Sequence, residues 1–210
     1  MPNKINKKYD EIDTYYVNKL STISKEIRKE LVLTPKKINL PDPNPTVIDY
    51  IMELNTDDYF EELGHFTISE DITFFKGAAV APPVRNLTIN VNESLQGKGL
   101  SKMLMFYNCV YYAKNTDIRS FDLMHIGADS SVGFWDQFMH DSRYYNRGTN
   151  LKIGRGQEKE CTFLELCQYC GADEVIEFID RRVSPGVLGG RKTKKTRKSK
   201  KKKTKKNKKF

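Results

Sequence analysis

The sequence predicts an α/β domain containing at least one parallel strand pair, followed by a disordered basic tail. Three observations carry that expectation. Leu87-Thr88-Ile89-Asn90-Val91-Asn92 alternates apolar and polar side chains, the period-two pattern of a strand with one buried face. The glycine turn Gln96-Gly97-Lys98-Gly99 follows at once and leads into a run where Leu100, Met103, Leu104, Tyr107 and Tyr111 mark one face of a helix. A second strand, Phe121 to Ile126, and a helical stretch with Phe134, Trp135 and Phe138 complete the strand, helix, strand, helix order of a βαβα unit.

The other elements follow in chain order. From Tyr9 to Leu33, Ile12, Tyr15, Tyr16, Leu20, Ile23 and Ile27 recur at helical spacing among charges, which predicts a surface-lying amphipathic helix. Pro35, Pro41, Pro43 and Pro45 then read residues 34 to 46 as a linker or an extended arm. Three regions result: an N-terminal helix and Pro-rich arm (1–45), the domain proper (46–188) and the tail (189–210). Thr46 is expected to cap a helix through Val47, Ile48, Tyr50, Ile51 and Leu54. The runs Gly64 to Ser69 and Ile72 to Val80, joined by Glu70 and Asp71, are expected to form a hairpin that Pro82 and Pro83 close. Beyond Asp141, Tyr144 to Phe163 reads as a late hairpin around Gly154-Arg155-Gly156, followed by a helix holding Leu164, Leu166 and Tyr169.

The chain has 210 residues, enough for one domain with a substantial core. Its formal charge of +9 divides unevenly. Gly189 to Phe210 carries 14 Lys and Arg and no acid, leaving 22 basic residues against 27 acidic ones in residues 1 to 188, a balance of −5. Attraction to polyanions therefore belongs to the tail. The N-terminus MPNKINKKYD lacks the apolar core of a secretory signal, and nowhere do eighteen apolar residues run together, so neither secretion nor a membrane span is expected. Cys109, Cys161, Cys167 and Cys170 are too sparse for a disulfide scaffold, which fits a reducing compartment, cytoplasmic or nuclear. Cys167-x-x-Cys170 with Cys161 upstream lacks a second ligand pair at suitable spacing, so buried thiols are expected and no metal.

A strand feeding a helix through Gln96-Gly97-Lys98-Gly99-Leu100-Ser101 aims unpaired backbone N–H groups at one point, where the helix dipole adds partial positive charge. Such a place suits phosphates. The P-loop pattern is absent, and the dinucleotide fingerprint would need a small residue where Lys102 stands. Gln/Arg-x-x-Gly-x-Gly/Ala does fit, with Ser101 in the last small position. The stretch LTINVNESLQGKGLSKML resembles the cofactor-binding motif of the GNAT N-acetyltransferase superfamily, and the following strand and FWDQF helix resemble its next motif, over residues 87 to 140.

The resemblance implies a mixed sheet with a splayed central parallel strand pair and flanking helices, acetyl-CoA as cosubstrate, and an amine acceptor on a protein or small molecule. By position, it implies that Val91 and Asn92 line the thioester end, that Gln96, Gly97, Lys98, Gly99 and Ser101 cradle the pyrophosphate, and that Asp129 and Trp135 face the cofactor thiol. Glu93, just beyond the strand, is the leading base for the amine proton. Trp135 stands where the family often has a tyrosine, and Met139-His140 replaces the usual Gly-Phe, so Tyr144 or Tyr145 is the candidate acid. His125, near the end of the second parallel strand, is a candidate for orienting a substrate. The tail suits nucleic acid phosphates or acidic proteins without base reading, because its only aromatic residue is the terminal Phe210. It also resembles the tails of many large DNA virus proteins, which implies a virion or virus factory. Two other functions fit the same residues: an inactive GNAT-fold protein that binds acyl-CoA or a partner, and a basic-tailed nucleic-acid-associated protein.

Overall fold

A computed structural model describes residues 4–39, 47–57, 61–71, 83–127, 132–140 and 158–176. The run Ile72 to Val80, Asp129, Tyr144 and Tyr145, the Gly154-Arg155-Gly156 turn and the tail lie outside the described residues.

Helix α1 spans Lys4–Ile27. Tyr16 and Ile23 are buried, and Tyr9, Ile12, Leu20 and Ile27 pack against the core, so the helical stripe read from the sequence is the inward one except at Tyr15, which is 60 % exposed. The helix stops six residues short of Leu33. Arg28 takes a left-handed conformation (φ 56°), Ser24 Oγ donates to Lys29 O at 2.5 Å, and the chain turns into a strand.

Where a linker or an extended arm is expected from residue 34, the chain is extended and paired, as strand β1, Leu31–Asn39. Pro35 is tolerated because β1 is an edge strand, with one side of its backbone outside any ladder among the described residues. Strand β2, Val47–Thr56, replaces the helix expected after Thr46. Val47, Ile48, Ile51 and Leu54 fit a helical period, but Tyr50, Met52 and Leu54 fit period two equally well, and those three are the strand's buried apolar residues. Pairing on both sides decides between the periods.

Strand β3, Glu62–Asp71, extends the expected Gly64 to Ser69 strand at both ends. Its partners are β2 on one edge and β4, Val84–Val91, on the other, both antiparallel, so both edges of β3 are occupied. The expected hairpin with Ile72 to Val80 is therefore not the pairing that β3 makes. Along β4 exposure alternates at every residue, as its sequence predicts.

Helix α2, Leu100–Asn115, crosses from β4 to the parallel strand β5, Leu123–Gly127. Helix α3, Val132–His140, follows, then β6, Glu158–Thr162, antiparallel to β5, and helix α4, Phe163–Cys170. The result is a mixed α/β fold on a six-stranded sheet ordered β1-β2-β3-β4-β5-β6.

The helices share one face of the sheet. Tyr50 and Phe66 from the strands, Phe106 and Tyr112 from α2, Trp135 and Phe138 from α3, and Phe163 from α4 form one core, into which α1 sends Tyr16. Asn108 ties α2 to the sheet: its Nδ2 donates to Tyr50 O at 2.9 Å and to Phe66 O at 2.5 Å. On the opposite face Val84, Asn86, Thr88 and Asn90 are exposed, which an antiparallel sheet permits. At the start of β4 a buried polar network closes the sheet. Arg85 Nε donates to Tyr112 Oη at 2.7 Å and lies 3.3 Å from Glu70, and its guanidinium reaches Asp122 at 3.5 Å. That network stands at the far end of β4 from the glycine loop. Among the described residues no helix is long and apolar enough to cross a membrane.

Candidate functional site

The parallel pair is short. β4 and β5 are in register only at Asn86↔His125 and Leu87↔Ile126, while β4 continues to Val91. Among the described residues, Ile89 to Val91 therefore have a ladder partner on β3 alone. Which backbone groups this frees follows from the alternation of an antiparallel ladder. Asn92 N donates to Leu63 O at 2.9 Å, so Asn92, Asn90 and Thr88 aim their peptide groups at β3, and those of Ile89 and Val91 face the gap. Gln96 Nε2 donates to Val91 O at 3.1 Å, which leaves the Val91 N–H and the Ile89 groups turned to the opening.

The chain leaves β4 through a 3-10 turn, Glu93–Leu95. Asn92 holds it in place, its side-chain oxygen accepting from Ser94 N at 3.0 Å and Ser94 Oγ at 2.8 Å, and Leu95 is buried beneath. Gly97 (φ 74°) and Gly99 (φ 71°) then take left-handed conformations that L side chains adopt at a cost. Gly99 is the N-cap of α2, so no side chain caps the helix, and its first turn contains no acid. The N–H groups that an Asp or Ser cap would satisfy are left to whatever occupies the cleft.

That cleft has a volume of about 480 Å³. Its floor is Ile89, Asn90 and Val91; the loop and the first turn of α2 supply Gln96, Gly97, Gly99, Ser101 and Lys102; Gly133, Phe134 and Gln137 of α3 and Tyr169 of α4 form the far wall. Lys102 Nζ lies 4.0 Å from the centre of the Tyr169 ring, a cation–π contact on that wall.

The structure thus brings together Val91, Gln96, Gly97, Gly99 and Ser101 of the residues that the sequence singles out. Gln96 does so differently from expectation, by capping a strand carbonyl. Lys98 does not line the cleft and forms an ion pair with Glu26 of α1. Glu93 is exposed in the 3-10 turn and does not line the cleft. Trp135 does not face the cleft: it is 0 % exposed, its ring packs on Phe66, Phe134 and Phe138, and its neighbours Phe134 and Gln137 take the wall instead. The helical period explains this, because one residue along α3 turns a side chain by about 100°. His125 sits on the open sheet face with Nδ1 3.8 Å from Glu160 Oε1. The four cysteines are all buried thiols.

Sequence reasoning missed Lys19, Lys102, Gln137 and Tyr169. A Cβ on Gly99 would lie 2.5 Å from Lys19 Nζ, so α1 reaches the glycine loop from 80 residues upstream. No local pattern signals that approach. Lys102 was legible as a cation in a helix turn that has no acid. His65, whose Nδ1 is 2.5 Å from Glu62 Oε1, pairs across β3–β4 with Asn90 and shares the open sheet face with it, away from the helices. The chain matches no protein-family model and shows no significant similarity to a curated protein sequence.

Proposed function

We propose that the cleft binds acetyl-CoA and that the protein is an N-acetyltransferase of the GNAT type. The observation that carries this reading is the coincidence of a free strand edge with an uncapped helix N-terminus. β4 parts from β5 after Leu87, and the glycine loop at its end opens onto the same 480 Å³ cleft. A pyrophosphate suits the loop amides and the helix dipole. The pantetheine arm, which is amide-bearing and extended, suits the peptide groups of Ile89 and Val91 as an added strand would. Its thioester then falls near the end of β4, by Val91 and Asn92.

Transfer requires a neutral amine to attack the thioester carbon. The C–N bond forms, the C–S bond breaks, the amine proton goes to a base, and the thiolate leaves with a proton from water or an acid. Glu93, in the exposed turn just beyond β4, is the candidate to accept that proton. The acceptor is an amine, with the mildly acidic body favouring a cationic one. The 14 cations of the tail support an accessory contact with nucleic acid or an acidic protein, dependent on low salt.

Calorimetry of the full-length protein with acetyl-CoA tests the reading. Gly97→Trp is the control: nothing lies within 4 Å of a Cβ at Gly97, but φ 74° makes the substitution strained, so a thermal melt first establishes that the variant is folded. Stoichiometric binding that a folded Gly97→Trp protein has lost supports the cofactor site. Lack of binding by the native protein sinks it. Release of free CoA thiol in the presence of a panel of primary amines then separates a transferase from a protein that binds the cofactor without using it.

A further inference from the structure

The N-terminus of α2 gathers positive charge beyond what a helix end tolerates. Lys102 lies in its first turn, Lys98 in the preceding loop, and Lys19 Nζ stands 2.5 Å from where Gly99 would carry a Cβ. Like charge at the positive end of a helix dipole is unfavourable. Of the three, only Lys98 has a carboxylate partner among the described residues, Glu26. Lys19 lies over the face of Tyr15, at 5.6 Å from the ring centre, and Lys102 over that of Tyr169.

Lys19 is also aimed. α1 is fastened to α2 and to the glycine loop on either side of it: Tyr107 Oη donates to Asp13 Oδ1 at 2.7 Å, six residues before, and Glu26 holds Lys98, seven residues after. Between these tethers Tyr16 packs on the rings of Phe106 and Tyr107. Six or seven residues are about two turns, or roughly 10 Å. The helix is thus fixed in register and rotation over the glycine loop, and Lys19 is delivered to it.

Resting on the cofactor reading above, we propose that Lys19 is a phosphate-binding residue supplied by the N-terminal helix. With the loop amides and Lys102 it completes a seat for two adjacent phosphate groups, and the cleft selects a pyrophosphate-bearing cofactor over its bare thioester arm. α1 is then part of the binding site, and an anion supplies the missing counter-charge.

The test is calorimetry on the full-length protein at about 0.15 M salt, where loose ionic association is screened. The probes are acetyl-CoA, S-acetyl-pantetheine, which lacks phosphate, and inorganic pyrophosphate. Lys19→Met weakens acetyl-CoA about tenfold, the loss of one charge-assisted contact, and weakens pyrophosphate comparably. It leaves S-acetyl-pantetheine unchanged, and Lys19→Arg restores affinity to within about threefold. The ligand-free Tm of Lys19→Met does not fall, because a repulsion has been removed. Acetyl-CoA binding within twofold of the native protein overturns the proposal, as does equal weakening of all three probes, which would mark a distorted fold. If the native protein binds pyrophosphate through Lys19 but not acetyl-CoA, the cofactor reading fails and the lysine assignment stands. If it binds none of them, both fail.

Discussion

Gly64 shows how little space the cleft floor leaves. It pairs with Val91 across β3–β4, and a Cβ there would meet Asn90 O at 2.8 Å and Val91 Cα at 3.2 Å. Both are backbone atoms, so relief requires moving the end of β4 and not merely turning a side chain. Gly64→Ala is expected to destabilise the fold by about 1–3 kcal/mol, the range for overpacking, and to weaken acetyl-CoA because the displaced segment is the cleft floor. Gly133→Ala is the contrast: it lies on α3 with open space around it, and its Tm should hold or rise. Thermal melts of the two variants decide; equal stability for both would mean β4 yields freely at this point. The glycine loop itself was legible at this scale, because left-handed backbone at Gly97 and Gly99 and an anion-ready helix start are local properties. Lys19 was not, since its approach to Gly99 depends on how α1 docks, and nothing in either segment's spacing encodes that docking.

Among the elements, β4, α2, β5 and α3 follow the sequence closely because each has a single period and a clear boundary. β1 and β2 do not. Pro35 speaks against a strand unless the strand is at an edge, and edge position is a property of the sheet that no segment carries by itself. Residues 47 to 54 satisfy two periods at once, and the pairing partners break the tie. α4 carries a signal of its own kind, the capping box Thr162-x-x-Glu165. Glu165 N donates to Thr162 Oγ1 at 3.2 Å, and Thr162 N donates to Glu165 Oε2 at 2.6 Å, so two orphan donors are satisfied where β6 turns directly into the helix. Thr162→Ala should cost about 1 kcal/mol and Thr162→Ser only a few tenths. Because α4 brings Tyr169 to the cleft, the alanine variant also tests whether the wall depends on that cap. Urea midpoints that match the native protein would show that β6 and the core hold α4 without it.

At the scale of the whole molecule, the core holds acidic groups whose ionisation the fold opposes, and this sets how the protein meets alkali. Burial pushes the Cys167 thiol up from its ordinary 9.0 to about 11, and burial likewise raises Cys109 and Cys170 well above that ordinary value. The three are fully buried where α2 meets α4. Burial also raises Tyr16 and Tyr112, which lie in the same core. A raised folded-state pKa means that the native protein holds its proton while the unfolded chain releases it, so the contribution to stability is complete below the unfolded value and disappears as pH climbs. Stability should therefore be flat on this account up to about pH 9 and fall through pH 11, by as much as about 1.4 kcal/mol per pH unit for each fully buried thiol. Cys167→Val removes one of these groups while keeping the site apolar, and should make the decline shallower. Urea midpoints at pH 7, 9 and 10.5 measure it, with thiol labelling at pH 8 as a check, since buried protonated thiols should react only on unfolding. A midpoint that stays constant to pH 10.5, or thiols that label in the native state, would mean that water reaches the α2–α4 seam. The core would then be looser beside the cleft than the packing of Cys109, Cys167 and Cys170 describes.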